Sequence, residues 1–218
     1  MVRVRLIRHG QSESNAGLPT NGPAVTPLTA VGREQAERVA EVFTEPPSLI
    51  VSSPFIRAGQ TAEPTRRRFP DVPYEEWPVQ EFTYLGSLHG PSTTGEERRP
   101  HVEAYWERCD PTYVNGGGGE SFAALIGRTG DLLGRVDTGS EGLVAVFTHG
   151  LFMRALIWSV LTGTREPDAA DMRDYRRFAE VYVLPNGCIV DLRLTGGRPA
   201  VVGGGVTHLP VHLVTGAG

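Results

Sequence analysis

The sequence predicts an α/β fold, a three-layer sandwich in which helices flank a central, mostly parallel sheet, with a lid-like insertion. Short apolar runs, typical of strands, alternate along the chain with longer segments whose apolar residues recur at helical spacing. Residues 143–147 are apolar throughout, as expected for a strand covered on both faces. With 218 residues, 39% of them hydrophobic, we interpret 1–218 as a single domain.

The first half of the chain is expected to hold two strands, at residues 2–7 and 49–51, each followed by a helix. Thr29 is expected to cap the first helix, since its hydroxyl can accept a hydrogen bond from the free amides there. Ser53 is expected to cap the second helix, with Pro54 at the first helical position.

The middle of the chain is less regular and is rich in aromatic residues. We expect residues 82–118 to form the insertion and to determine substrate selectivity. Residues 96–108 predict a helix with a solvated charged face, and Glu120 is expected to begin an amphipathic helix. The charged face comprises Arg98, Arg99, His101 and Arg108, and contact of one of them with an anionic substrate is the less favoured alternative.

The last third is expected to contain the buried strand at 143–147 and a buried helix at 151–161. Residues 181–184 and 188–194 are expected to pair as a hairpin around an intervening Pro-Asn-Gly turn. The glycine-rich segment after Thr195 is uninformative, since it has no pattern from which a structure can be predicted.

Composition and charge exclude several classes of protein. The formal net charge is −4, so no overall positive field favours nucleic acid as a partner. Cys109 and Cys188 are too few for a disulfide scaffold, and no apolar run is long enough to span a membrane. We therefore expect a cytoplasmic protein that binds neither nucleic acid nor membrane.

Cations and imidazoles follow three of the predicted strands. Arg8 and His9 end the first, Arg57 lies early in the helix after the second, and His149 ends the third. Because ligands of such sheets bind at the carboxyl ends of strands, we expect these side chains to form one anion site. Arginine matches phosphoryl oxygens, and a neutral imidazole can attack phosphorus. The arginines are expected to lower the pKa of His9, while the Gly10 carbonyl accepts from its other ring nitrogen.

Five sequence blocks, in order, resemble the histidine phosphatase (phosphoglycerate mutase-like) superfamily. Each block falls on the element that the family places there, and together they extend from Leu6 to about Leu161. The blocks are RHGQSESN from Arg8, PLTAVGREQA from Pro27, SSPFIRAGQTA from Ser52, GESF from Gly119 and THG from Thr148.

The resemblance implies a role for each matching residue. His9 would be phosphorylated, Glu81 would be the general acid, and the remaining residues would bind the phosphoryl group or line its pocket. Around Glu81 the spacing to the next glycine is one residue longer than the common form. Rivals for the acid are Asp71, Glu75, Glu76 and Glu120. The predicted phosphate-binding residues are Arg8, Ser12, Asn15, Arg57, His149 and Gly150.

The resemblance implies a phosphatase that hydrolyses a small phosphomonoester through a phosphohistidine on His9, with no metal and no cofactor. A zinc site of His9, His149 and Glu81 is disfavoured because the neighbouring arginines would repel a dication. Two alternatives stay open: phosphoryl transfer of the phosphoglycerate mutase type, and a catalytically weak protein that binds phosphate or a partner. The expected partner is a small phosphorylated substrate, and a homodimer is left open.

Overall fold

The computed structural model describes residues 2–89, 92–139 and 141–216. Its centre is one six-stranded sheet of order β3-β2-β4-β1-β5-β6. The strands β3, β2, β4 and β1 are parallel, whereas β5 and β6 are antiparallel to their neighbours. The prediction of a mostly parallel α/β sheet is therefore confirmed. The strands are β1 (Val2–Arg8), β2 (Leu49–Ser52), β3 (Tyr74–Glu76), β4 (Gly142–Thr148), β5 (Ile189–Thr195) and β6 (Arg198–Gly205).

Helices cover both faces of this sheet. Alternate residues of β1 point to opposite sides, so Leu6 joins one hydrophobic cluster and Ile7 the other. The Ile7 cluster is closed by α1 and α2, and the larger Leu6 cluster by α4, α5 and α6. The helices are α1 (Ala30–Glu41), α2 (Ile56–Arg68), α3 (Gly95–Arg108), α4 (Phe122–Gly139), α5 (Gly150–Thr162) and α6 (Ala169–Val181).

The predicted helix starts have different outcomes. Thr29 caps α1 as expected, because its hydroxyl accepts from the Gly32 amide over 3.1 Å. The prediction for Ser53 is wrong: α2 begins at Ile56, and its N-cap Phe55 has no side-chain cap hydrogen bond. The Ser53 hydroxyl instead accepts from the Phe55 amide and contacts His149, so its hydrogen-bonding capacity is used within the site.

The predicted C-terminal hairpin is wrong in its first strand, at 181–184, and in its turn, whereas its second strand, at 188–194, is present as β5. Residues 169–181 form α6, a helix that begins at a capping box between Asp168 and Asp171. The hairpin lies further on, where β5 turns at Gly196 and Gly197 into β6. The glycine-rich segment after Thr195 therefore supplies the sheet's edge strand.

Residues 82–118, as far as they are described, combine a short 3-10 turn (Gly86–Leu88) with α3. Phe82 packs against the rings of Tyr105 and Trp106, which attaches this segment to the larger cluster. It forms one wall of the cavity described below. That it is an insertion acting as a lid stays a prediction.

Candidate active site

His9 follows the last residue of β1, and the hydrogen bond of its amide to the Thr148 carbonyl (2.9 Å) ties it to β4. Its Nε2 accepts from Arg57 Nε over 3.0 Å, and its Nδ1 lies 2.7 Å from the Gly10 carbonyl oxygen. Because an arginine nitrogen can only donate, Nε2 carries the lone pair and Nδ1 the proton. The prediction that Gly10 fixes the tautomer is confirmed.

Two glycines let the loop after His9 lie directly on the start of α1. A Cβ added at Gly10 would lie 2.3 Å from the Gly32 carbonyl oxygen, and one added at Gly32 would lie 2.1 Å from that of Gln11. Since both obstacles are backbone atoms, no side chain fits at either position. The Gly10 amide also donates to Thr61 Oγ1 over 3.1 Å, which connects the loop to α2.

Two buried guanidinium groups lie beside His9, as the sequence predicts. Arg57 lies in the first turn of α2 and donates through Nη1 to the Pro23 carbonyl as well as through Nε to His9. Arg8 donates through Nη1 to the Leu184 carbonyl, whereas its buried Nε has no hydrogen-bond partner in the described chain. Neither arginine forms an ion pair with a described carboxylate. Burial lowers the pKa of both guanidinium groups, and the negative charge of Glu81 acts in the opposite direction and raises it.

His149, at the end of β4, is fully buried beside His9, with 5.0 Å between the two ring centroids. Its Nε2 shares a hydrogen bond of 2.8 Å with the Ser53 hydroxyl. Its Nδ1 is buried and finds no partner among the residues described. The predicted convergence of Arg8, His9, Arg57 and His149 is therefore present.

Burial and the arginines keep both imidazoles neutral. Desolvation lowers the pKa of His9 well below its usual value of 6.5, and the charges of Arg57 and Arg8 lower it further. The pKa of His149 is likewise held well below 6.5, first by burial and then by Arg57. Burial also lowers the pKa of Arg57 to about 10, which leaves it cationic at neutral pH.

Ser12 and Asn15 line the cavity next to His9, as predicted. A third residue, Asn186, is hydrogen-bonded to Asn15, although the sequence did not single it out as a site residue. The Asn15 side-chain oxygen accepts from the Ser12 hydroxyl (3.0 Å) and from Nδ2 of Asn186 (3.0 Å). Asn186 is fully buried and also donates to the His9 carbonyl over 3.3 Å. Its only signal in the sequence is its place in a predicted Pro-Asn-Gly turn, which does not distinguish it from other turn asparagines.

Glu81 lies where α5 begins and lines the same cavity. Its Oε1 accepts from the amides of Leu151 (3.0 Å), Phe152 (3.3 Å) and Phe82 (3.1 Å). A carboxylate is favoured at a helix N-terminus, since the first amides there have no partner within the helix. Oε2 has no hydrogen-bond partner within the described residues, so one oxygen is anchored and the other is available.

The rival acids lie elsewhere. Glu75 accepts from the indole of Trp77 over 2.7 Å, and Glu120 is paired with Arg128 at 2.6 Å. Glu81 is the one carboxylate among the described residues that line the cavity, which leaves out Asp71, Glu75, Glu76 and Glu120.

The cavity has a volume of about 620 Å³, within the range of small-molecule pockets. Arg8, His9 and Arg57 line it together with residues of the 82–118 segment. His149 and Gly150 do not line it. Gly150 instead lets Arg8 approach the start of α5, since a Cβ there would lie 3.3 Å from Arg8 Nε.

Within residues 2–89, 92–139 and 141–216, no three or more His, Cys, Asp or Glu side chains are grouped so as to hold a metal ion. Over the same ranges, no helix has both the length and the apolar character to cross a bilayer.

This fold and this cluster of arginines and histidines define a class of protein. A family model described as the histidine phosphatase superfamily (branch 1) matches residues 4–206, and the chain belongs to that family.

Particular members of the family are similar over much of the chain. A metal-independent phosphoserine phosphatase of Arabidopsis thaliana is 31% identical over 160 residues, covering 72% of this chain and 67% of that protein. A glucosyl-3-phosphoglycerate phosphatase of Mycolicibacterium vanbaalenii is 32% identical over 169 residues, covering 73% and 74%. The solved structure of a mycobacterial glucosyl-3-phosphoglycerate phosphatase with VO3 is 26% identical, with a TM-score of 0.69 and coverage of 91% and 96%.

Proposed function

We propose that this protein is a metal-independent phosphatase that hydrolyses a small phosphomonoester through a phosphohistidine on His9. The observation that carries the proposal is the position of His9 Nε2, an uncharged nucleophile at the edge of a cavity between two unpaired guanidinium groups. Relatives named as phosphoserine and glucosyl-3-phosphoglycerate phosphatases support the same reaction class.

In the first step the lone pair of His9 Nε2 attacks phosphorus, and the bond from phosphorus to the ester oxygen breaks. Arg57 would move its Nε donor from His9 to a phosphoryl oxygen, so the cation that holds the nucleophile becomes part of the phosphate clamp. Arg8 Nε would bind a second oxygen. Glu81, protonated on Oε2, would give its proton to the leaving oxygen, which departs as an alcohol.

In the second step Glu81 takes a proton from water, and the water oxygen attacks the phosphorus of phosphohistidine. The N–P bond breaks, its electron pair returns to His9 Nε2, and inorganic phosphate leaves. If the Ser53 hydroxyl donates to His149 Nε2, the His149 proton is on Nδ1, where it can stabilise the negative charge that develops on the phosphoryl oxygens.

One observation favours phosphoryl transfer as a second candidate. A probable phosphoglycerate mutase of Proteus mirabilis is 44% identical, although over only 64 residues, which is 29% of this chain. A mutase would return the phosphoryl group of His9 to another hydroxyl instead of to water. The third interpretation, phosphate binding without turnover, rested on the spacing around Glu81, and it loses that support because Glu81 lines the cavity.

The test is release of inorganic phosphate from a panel of phosphomonoesters, measured with a chelator present. We expect hydrolysis by the wild type and a loss of at least about 10³-fold in His9→Asn. A rapid acid-free quench should trap an acid-labile, base-stable phosphoryl adduct on the wild type alone. The exposed His212→Asn is the matched control and should keep full activity.

Two outcomes would contradict the proposal: isomerisation of a phosphoglycerate that is faster than phosphate release, or full hydrolysis by His9→Asn.

A cytoplasmic setting and a homodimer stay predictions. Fractionation of cells and light scattering of the purified protein would test them.

A further inference from the structure

We infer that Arg128, together with its ion-pair partner Glu120, is a positioning residue for the general acid Glu81. The inference rests on the proposed phosphatase function and deepens it, because it names what holds the proton donor of that reaction in place. Neither Arg128 nor Glu120 lines the cavity, so both act on the reaction only through other residues. Glu120 belongs to the GESF block, to which the proposed mechanism gives no task.

Glu81 lies on a segment without regular secondary structure. Residues 77–83 form neither helix nor strand, so no ladder of backbone hydrogen bonds fixes the main chain that carries the carboxylate. Glu81 Oε1 is anchored on the amides that begin α5, whereas Oε2, the oxygen that would carry the proton, has no partner within the described chain. A displacement of about 1 Å would move Oε2 relative to the leaving oxygen, and such a misplacement can lower a rate by about 10²-fold.

Side chains hold the three carbonyl groups that precede the general acid. Arg128 Nη1 donates to the Pro78 carbonyl over 2.7 Å and to the Gln80 carbonyl over 3.2 Å. The carbonyl between them, that of Val79, accepts from the buried Thr148 hydroxyl over 2.5 Å. The main chain that leads to the acid is therefore held from two elements, helix α4 and the end of strand β4.

The ion pair with Glu120 orients the guanidinium of Arg128. Arg128 Nε and Nη2 donate to the two carboxylate oxygens of Glu120 over 2.6 and 2.8 Å, and the two side chains are only 13% and 14% exposed. A bidentate pair of this kind fixes the plane of the guanidinium, which leaves Nη1 for the two carbonyls. The Glu120 amide also donates to the Thr83 carbonyl over 3.3 Å. The same pair is therefore hydrogen-bonded to the main chain on both sides of Glu81.

Arg128 also contacts a residue that anchors the carboxylate itself. Its guanidinium carbon lies 5.1 Å from the centroid of the Phe152 ring, and the Phe152 amide donates to Glu81 Oε1 over 3.3 Å. One cation therefore contacts both the main chain that carries the acid and a residue whose amide binds it. Arg135 of the same helix differs. Its guanidinium lies over the Trp77 ring at 4.6 Å, and within the described chain it donates to none of the three carbonyls before the acid.

The experiment compares two substrates whose leaving oxygens differ in their need for a proton. The alkoxide oxygen of glycerol 3-phosphate must be protonated as it leaves, whereas 4-nitrophenolate leaves from its phosphate ester without a proton. We measure kcat/KM, which reports the steps up to phosphorylation of His9. For Arg128→Met we expect kcat/KM to fall about 10- to 100-fold with glycerol 3-phosphate and less than about threefold with 4-nitrophenyl phosphate. Glu120→Gln keeps the shape of the pair and should show the same contrast, also where Arg128→Met does not fold. Arg135→Met is the matched control and should stay near the wild type on both substrates.

A double substitution separates action through Glu81 from any other effect of Arg128. Glu81→Gln alone should reproduce the contrast between the two substrates. Adding Arg128→Met to Glu81→Gln should then lower kcat/KM by no more than about twofold, because residues that act as a unit are not additive. A general loss of folded structure, or an electrostatic effect of Arg128 on the histidines, would lower kcat/KM equally on both substrates and would persist in the Glu81→Gln background. That result would overturn the inference.

Hydrogen exchange separates this inference from the proposed function, because it requires no turnover. The amides of Leu151 and Phe152 lie in the first turn of α5, where they have no partner within the helix and bind Glu81 Oε1 instead. Arg128→Met should therefore speed their exchange about tenfold relative to the amides of α1, and Arg135→Met should not. If no phosphomonoester is hydrolysed, the phosphatase proposal fails, yet faster exchange of these two amides in Arg128→Met would still support the positioning of Glu81. Unchanged exchange in that variant would refute it.

Discussion

Arg57 Nε donates to His9 Nε2 across 3.0 Å, so the nitrogen that would attack phosphorus is held by a cation. Burial is the main cause of the low pKa of His9, and Arg57 lowers that pKa further, because a proton on Nε2 would face the guanidinium. Arg57 therefore has two proposed tasks: it preserves the lone pair before the substrate binds and then neutralises phosphoryl oxygen charge.

Replacing Arg57 should cause a large loss of activity. We expect Arg57→Ala to lower kcat/KM by about 10²- to 10³-fold, the usual loss for a preorganised group that stabilises developing charge. Arg57→Lys should recover little, since an ammonium lacks the planar fork. Steady-state phosphate release measures both. Arg67→Ala removes an exposed charge from the same helix and should stay near the wild type; activity of Arg57→Ala within threefold of it would refute the assignment.

Ser53 should act as a positioning residue through His149. Without the 2.8 Å hydrogen bond to the Ser53 hydroxyl, the buried ring loses a fixed orientation. We expect Ser53→Ala to lower kcat about tenfold with KM nearly unchanged, because the interaction would matter only as charge develops. Kinetics at saturating substrate measure this effect. The exposed Ser48→Ala is the control, and a change confined to KM would argue against the role.

Asn186 should matter for stability as well as for activity. Asn186→Ala leaves the buried amide contacts to the His9 carbonyl and Asn15 unmade. The expected loss in free energy of unfolding is about 1–3 kcal/mol, the cost of an unsatisfied buried group. Urea denaturation measures it, with the exposed Asn21→Ala as the comparison. Unchanged stability together with unchanged kcat would show that Asn186 supports neither the fold nor the site.

Acid should destabilise the protein through its buried imidazoles. The pKa values of His9 and His149 are well below 6.5 in the folded chain, so below pH 6.5 the unfolded chain binds protons that the folded chain does not. Above pH 6.5 both histidines are neutral in both states and do not make the free energy of unfolding depend on pH. Below pH 6.5 each histidine lowers the free energy of unfolding by up to about 1.4 kcal/mol per pH unit. Urea titrations from pH 7 to pH 5 should show a smaller slope for His149→Gln. The exposed His212→Gln should keep the wild-type slope.

Elements with strong local signals could be predicted from the sequence. The apolar run of β4 and the threonine cap of α1 need no knowledge of distant residues. Strand β6 has a weak signal: its edge position leaves most residues exposed, and glycines replace the alternation of apolar residues. Its existence depends on pairing with β5, which no local pattern reports.

The cluster of Arg8, His9, Arg57 and His149 was predictable, because its residues lie at or just after strand ends and parallel strands place their carboxyl ends together. The other contributions depend on tertiary contacts. Ser53 has the local features of a helix cap, yet its hydroxyl contacts His149. Arg98 has the spacing of a solvated face, yet the 82–118 segment turns it into the cavity. Asn186 reaches His9 only because the chain returns from α6 to β5 beside β1.

The contact between Gly10 and Gly32 has a consequence for mutational scanning. Alanine at Gly10 would collide with a carbonyl oxygen 2.3 Å away, so the loop that carries His9 would have to shift. A scan that reads activity alone would rank Gly10 with the chemical groups, although it has no side chain to offer. At this pair of positions, loss of turnover measures how closely two stretches of main chain approach, and it says nothing about chemistry.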